Sequence, residues 1–396
     1  MKRFLFVSAI FLSLNGWAQG YQSGKRTVTF NDPSRGNRSI PTELYYPSSV
    51  SGSNVPLASG VESFPVVCFA HGFLISPDAY TWLGDSLARN GFIVVMPSTE
   101  GSTSPNHAAF AADISFLCDR VMSLNDSSAS FLYNRVVKRS AAGGHSMGGG
   151  SSFLAAASSS KINALFNFAA AETNPSAQQA ALQVQCPALV FSGTSDCIVP
   201  PATQQTMYSN IPYNCKTYIN ITGALHCHFA NNNSTCALGQ VFSGCNSSSI
   251  TVANVFSKTM SLLIPFLNLN LKRDCYAKNQ FSDNYNVLTG VQKQTVCTIE
   301  PVECNGTSIN ERDRESRAFF AYPNPVAQDQ RITLKIPDNS SRQLQIYSSS
   351  GSLLFQTTVN RSTGYTLPFQ WSSPGLYWIK SIGSKGETGY IKLVVY

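Results

Sequence analysis

Apolar residues in this chain fall into short runs, and the spacing between runs changes along its length. Lys2 and Arg3 precede an apolar stretch from Phe4 to Leu14, followed by Gly16-Trp17-Ala18-Gln19. A basic end, a short hydrophobic core and a small residue before the cut describe a secretory signal peptide cleaved after Ala18. The run is too short to span a bilayer comfortably, and no later stretch is expected to cross a membrane. Thr27 to Pro47 reads as two strands joined by the turn Asn31 to Asn37. Phe64-Pro65-Val66-Val67-Cys68-Phe69-Ala70 is a continuous apolar run bounded by a turn, as expected for a strand buried on both faces. From there the pattern alternates between strand and helix. Trp82–Ala88 is a short helix, Gly91–Pro97 a strand, Ala108–Leu124 an amphipathic helix and Arg135–Gly143 a strand. A helix from Ser152, strands at 163–170, 188–191 and 216–221, and a closing helix at Ser257–Leu267 complete the series. This order predicts an α/β domain, a doubly wound and mostly parallel sheet with helices on both faces.

Beyond Asp274 the pattern changes. Residues 275–317 are polar and include the charge-mixed Glu311–Arg317, which predicts a linker containing cysteines. After it come short runs of alternating apolar residues: Arg331–Ile336, Leu344–Tyr347, Ser352–Phe355, Gly375–Lys380 and Gly389–Val395. Several short strands at regular spacing predict a small all-β sandwich. The expected domains are a signal peptide over 1–18, an α/β unit over 19–274, the linker over 275–317 and the sandwich over 318–396.

Composition narrows the function. Only 12% of residues are charged, and the net charge of +7 is not gathered into a dense Lys/Arg run. A nucleic-acid footprint would cluster its cations, so that class is excluded. Eleven cysteines suit an exported protein, and the odd number leaves at least one without a partner in the same chain. Cys68 and Cys118 are expected as buried thiols. Candidate disulfides are Cys186 with Cys215, Cys236 with Cys245, and Cys197 with Cys227, the last joining two loops discussed below. No Cys-x2-Cys pair occurs, and a metal site is not expected.

The chemistry centres on Gly144-His145-Ser146-Met147-Gly148. A strand leads in and a helix leads out, the pattern of a nucleophile elbow. Its glycines allow a tight turn that lifts Ser146 above the sheet edge. A serine nucleophile needs a histidine base and a carboxylate to orient it. The chain has five histidines. His145 sits inside the elbow and cannot turn back onto its neighbour's hydroxyl. His71 and His107 precede the serine. In this fold the order is Ser, acid, His, which leaves His226 and His228. Asp196 closes the strand Ala188–Phe191 and lies between Ser146 and both.

Together these segments resemble the α/β-hydrolase superfamily over about Thr27 to Lys272. Within it they look like the branch of bacterial cutinases, PET hydrolases, and chlorophyllase-like and dienelactone-hydrolase-like esterases. The carrying residues are His71-Gly72-Phe73, the elbow with Gly149 and Gly150, Asp196-Cys197-Ile198-Val199-Pro200 and Gly223-Ala224-Leu225-His226. The resemblance favours His226 over His228 as the base and assigns the oxyanion hole to the backbone N–H groups of Phe73 and Met147. It also implies that Phe73, Met147 and Ile198 line the acyl site. One departure stands out: cutinase-type PET hydrolases carry a Trp after the strand that follows the elbow helix, where this chain has Ala169-Ala170-Ala171-Glu172-Thr173-Asn174-Pro175. Tyr80 and Trp82 could form an aromatic wall in its place or pack against a helix.

The tail resembles the C-terminal sorting domain of type IX secretion cargo, on Tyr322-Pro323-Asn324-Pro325, the Ser350-Gly351 turn and Pro374-Gly375-Leu376-Tyr377. That implies a Gram-negative source, the secretion machinery as a partner, and a secreted or surface location. A competing reading gives the sandwich a polymer-stacking face from Trp371, Tyr377 and Trp378. The expected whole is a monomeric secreted serine ester hydrolase, with no cofactor, acting on polyesters, lipids, chlorophyll-type esters or small esters. The alternative of another class is a non-catalytic surface polymer-binding protein.

Overall fold

The computed structural model describes residues 21–231, 233–245, 248–297, 320–336, 341–348, 351–360, 364–383 and 388–396. The expected signal peptide and residues 298–317 of the expected linker lie outside these ranges.

The chain opens with the hairpin β1 (Gln22–Asp32) and β2 (Arg38–Ser48), followed by the two-residue β3 (Gly52–Ser53). The parallel core is β4 (Phe64–Ala70), β5 (Ile93–Pro97), β6 (Val136–His145), β7 (Ile162–Phe168), β8 (Ala188–Gly193) and β9 (Cys215–Ile221). Between them run α1 (Thr81–Arg89), α2 (His107–Ser123), α3 (Met147–Ser158), α4 (Ala177–Ala181) and α5 (Pro201–Asn210). After β9 come α6 (Ser234–Phe242), α7 (Val252–Leu267), α8 (Tyr276–Val287) and β10 (Val291–Cys297). The ten strands form one sheet in the order β10-β9-β8-β7-β6-β4-β5-β2-β1-β3. Pairings from β5 through β9 are parallel, while β2 on β5 and β10 on β9 are antiparallel.

Residues of β4 alternate between two cores. Phe64, Val66, Cys68 and Ala70 face the α2, α3 and α5 side; Val67 and Phe69 face the α1 and α7 side. Helices on both faces bury the strand completely, which is why its sequence is apolar without a break. Asp113 in α2 is wholly buried and pairs with Arg35 at 2.7 Å and Arg38 at 2.8 Å, pinning the first hairpin to the helix layer.

Three sequence expectations need correction. Residues 276–297 are not linker: α8 packs on α7, and β10 extends the large sheet through seven register pairs with β9. The polar composition that suggests a linker belongs to an exposed edge strand and a surface helix. None of the three proposed disulfides forms. Cys197 bonds Cys245, Cys215 bonds Cys297 and Cys227 bonds Cys236, while Cys186 is a buried free thiol. Cys215 takes Cys297 because β10 lies beside β9 and sets the two residues opposite each other. Finally, one later stretch does have membrane-spanning length: Val252–Lys272 is 21 helical residues with mean hydropathy 1.3. Most of it is buried in the core of the α/β unit, which explains its apolarity. Cys68 and Cys118 are buried thiols, as expected.

The tail holds two antiparallel sheets. One contains β11 (Phe320–Tyr322), β12 (Thr333–Lys335) and β15 (Gly364–Thr366). The other orders β14 (Leu353–Val359), β13 (Arg342–Ser348), β16 (Gly375–Gly383) and β17 (Thr388–Val395). Both contribute to a single core that includes Leu334, Ile346, Ile379 and Leu393. Trp371 and Tyr377 lie inside that core, which removes two of the three aromatics from any stacking face.

Candidate active site

The elbow follows from backbone crowding. A Cβ on Gly144 would lie 2.3 Å from the Gly148 carbonyl, and one on Gly148 would lie 2.2 Å from the Ala70 carbonyl oxygen. Only glycine lets β6, α3 and the end of β4 meet this closely. Between them Ser146 is held at φ 55° and ψ −121°, a left-handed conformation that costs a non-glycine residue of order 1–3 kcal/mol. The surroundings over-determine it. The Ser146 N–H donates to the Phe168 carbonyl, and its carbonyl accepts from the N–H groups of Gly150 and Ala171. Ser146 is 7% exposed, and Met147, which opens α3, is buried.

Asp196 and His226 meet across two loops. His226 Nδ1 lies 2.7 Å from Asp196 Oδ2, with both side chains buried. The second carboxylate oxygen, Oδ1, accepts from the N–H groups of Ile198 at 3.0 Å and Val199 at 2.8 Å. The carboxylate is therefore fixed on both sides, and the imidazole is left with Nε2 for other work. Ile198, expected only as an acyl-site residue, has a visible backbone role in orienting the acid. A disulfide supports each loop: Cys197–Cys245 beside Asp196 and Cys227–Cys236 beside His226. The Cys227 N–H also donates to Gln240 of α6 at 2.8 Å.

His226 opens a 3-10 turn over His226–Phe229. Its ring packs against that of His145, with centroids 4.7 Å apart. The His226 ring donates from Nδ1 to Asp196 and its backbone carbonyl accepts from His145 Nε2; no bond between His226 and Ser146 Oγ is among those of the described residues. Catalytic contacts of this kind commonly tighten only when substrate binds. His228 faces elsewhere: its Nδ1 accepts from the Leu225 N–H at 3.4 Å, and partial burial lowers its pKa. His71 lies between the Gly72 and Thr99 carbonyls, and burial holds its pKa below the ordinary histidine value.

Phe73 follows the close-packed Gly72 and is 44% exposed, with Leu74 beside it also open. Helix α6 exposes Leu238, Val241 and Phe242, and Ile198 packs beneath Gly239 of the same helix. Trp82 stacks on Phe256 at 3.9 Å and Tyr80 is fully buried, so neither forms an aromatic wall. Two cavities of about 880 and 580 Å³ lie elsewhere, and Ser146, Asp196 and His226 line neither.

One contact escaped sequence reasoning, between Tyr80 and His145. Tyr80 hydroxyl lies 2.8 Å from His145 Nδ1, and His145 Nε2 lies 3.1 Å from the His226 carbonyl. Sixty-five positions separate Tyr80 from His145, so no local signal could have paired them.

Among protein-family models, residues 18–243 match the PET hydrolase-like family and residues 321–396 match the secretion system C-terminal sorting domain. No curated protein matches the chain. The tail marks a type IX secretion cargo that engages that machinery and is secreted or displayed at the cell surface. With the first match covering more than half of its length, the chain belongs to the PET hydrolase-like family.

Proposed function

We propose that this protein is a serine carboxylic-ester hydrolase that works through Ser146, His226 and Asp196. The observation that carries the reading is the buried Asp196–His226 pair, 2.7 Å apart, ring against ring with the residue that precedes a strained serine. His226 takes the Ser146 proton as Oγ attacks the ester carbonyl, and returns it to the leaving alcohol. Asp196 keeps the Nδ1–H tautomer and stabilises the imidazolium. The backbone N–H groups of Phe73 and Met147 hold the oxyanion. Met147 suits this because the first N–H groups of a helix have no intrahelical acceptor. Water then attacks the acyl-enzyme with His226 again as base. The mechanism asks for no cofactor or metal.

The substrate is proposed to be an ester of an apolar acid presented at a surface. Phe73 and Leu74 in the turn after β4, and Leu238, Val241 and Phe242 on α6, the helix tied to the His226 loop by Cys227–Cys236, supply exposed apolar side chains. The small residues Ala169, Ala170 and Ala171 after β7 favour a second reading, in which aliphatic or small esters are preferred to aromatic polyesters. Hydrolysis of p-nitrophenyl esters of rising acyl length, beside release from aliphatic and aromatic polyester films, separates the two. Wild type should turn over and Ser146→Ala should not. If both turn over equally, the triad is wrong. If neither does, the hydrolase reading fails and polymer binding replaces it.

A further inference from the structure

The three parts of the proposed machinery sit on three different elements, and one buried chain of hydrogen bonds joins them. The Gly72 N–H donates to the Tyr80 hydroxyl at 3.0 Å, and that hydroxyl lies 2.8 Å from His145 Nδ1. His145 Nε2 lies 3.1 Å from the His226 carbonyl oxygen. Directions follow from chemistry. A carbonyl only accepts, so His145 Nε2 carries the proton. A neutral imidazole then has an acceptor at Nδ1, so the Tyr80 hydroxyl donates to it while accepting from Gly72. Burial, with His226 nearby, holds the His145 pKa well below its ordinary value, in keeping with the neutral ring. Both Tyr80 and His145 are completely buried, and every polar atom of the chain from Gly72 N–H to His226 carbonyl has a partner.

We propose that Tyr80 and His145 are positioning residues that hold the oxyanion turn, the elbow and the base loop in one register. This rests on the triad reading above. Asp196 sets the rotation of the His226 ring at Nδ1, but it does not set the depth of the His226 backbone. The His145 Nε2–H does that from the inner side. The Cys227–Cys236 disulfide and the Gln240 contact hold the same loop from the outer side. His145 is bonded in sequence to Ser146, so a bond from its ring to His226 references the base to the nucleophile directly. At the other end the Gly72 amide is the neighbour of Phe73, the proposed oxyanion donor. The packing leaves little play: a Cβ on Gly72 would lie 3.2 Å from His145 Nδ1 and 3.3 Å from the Tyr80 oxygen.

Three variants of the full chain test this. Tyr80→Phe removes one oxygen and leaves Gly72 N–H and His145 Nδ1 unpaired. His145→Leu removes both ring contacts, whereas His145→Gln keeps one donor and one acceptor. Assays well below each variant's melting temperature should show kcat reduced about 10- to 100-fold in Tyr80→Phe and His145→Leu, with KM within about threefold. His145→Gln should recover most of the loss. The rate at which an organophosphonate phosphonylates Ser146, with loss of its leaving group, should fall in parallel. A role in stability alone would lower the melting temperature and leave kcat and the labelling rate unchanged; that result overturns the proposal. The Ser146→Ala control keeps the two claims apart. An active Ser146→Ala sinks the triad reading. An inactive Ser146→Ala alongside wild-type kcat in Tyr80→Phe and His145→Leu sinks only the brace.

Discussion

Ser146 sits on a turn with no cross-link beside it, whereas Asp196 and His226 sit on loops that each carry a disulfide. The proposed nucleophile side is built from parallel ladder bonds, glycines in backbone contact and a residue held at positive φ. The proposed acid–base side is built from a 3-10 turn, two disulfides and side-chain hydrogen bonds. The difference follows from what lies behind each. The elbow is the end of a central strand, with β4 and β7 on either side. The base loop leaves β9 near the edge of the sheet and needs other restraints. One side should therefore be sensitive to an added methyl group, and the other to lost charge or sulfur.

The largest effect among these contrasts is expected at the acid. Asp196→Asn keeps the shape but no longer favours the Nδ1–H tautomer, and such a change typically costs ~10⁴ in kcat. The melting temperature should change far less than the rate. At the elbow, Gly148→Ala places a methyl group against the Ala70 carbonyl. Activity should fall by about 10²–10³ through displacement of the oxyanion site, together with a loss of thermal stability. A well-folded, fully active Gly148→Ala would break the comparison on the nucleophile side.

A smaller effect is expected from Cys227→Ser with Cys236→Ser. Losing a short-loop disulfide typically costs about 2–3 kcal/mol. Because the bond restrains only the base loop, activity should be lost on heating before the fluorescence signal of the fold. Coincident loss of both would mean that the loop is not an independent unit. The last effect concerns pH, and its size depends on the span of pH covered. His71 and His145 are buried with lowered pKa values, so below the ordinary histidine value the unfolded chain takes up protons that the folded chain refuses. Stability should therefore fall as pH drops below about 6.5, by at most ~1.4 kcal/mol per pH unit for each ring. Thermal melts from pH 7.5 to 5 should show this slope, and His145→Gln should flatten it.

Much of the fold could be read before the structure, where burial dictates sequence. Phe64–Ala70 was legible to the residue because a strand covered on both faces tolerates only apolar side chains. The hairpin was legible from its Asn/Asp/Pro/Gly turn. The strand Val291–Cys297 was not, because it is an exposed edge with four polar residues of seven and no buried face to set an apolar alternation. Its hold comes from the ladder to β9, the Thr217–Thr295 hydroxyl contact and the Cys215–Cys297 bond. Disulfide pairing was opaque for the same reason: it depends on which loops the fold brings together. At the site, Ser146, Asp196 and His226 stood out because their chemistry restricts residue type and chain order. Tyr80 and His145 did not, since the hydrogen bonds behind their proposed role exist only once β4, β6 and the His226 loop are assembled.

The most direct test of the central claim is to find where an organophosphonate attaches. Peptide mapping by mass spectrometry after brief exposure should place the added mass on the peptide containing Ser146, at one equivalent, with hydrolysis lost in proportion. Pre-incubation with an ester substrate should slow the labelling. Attachment elsewhere, or full hydrolysis with Ser146 completely modified, would contradict the assignment of Ser146 as the nucleophile.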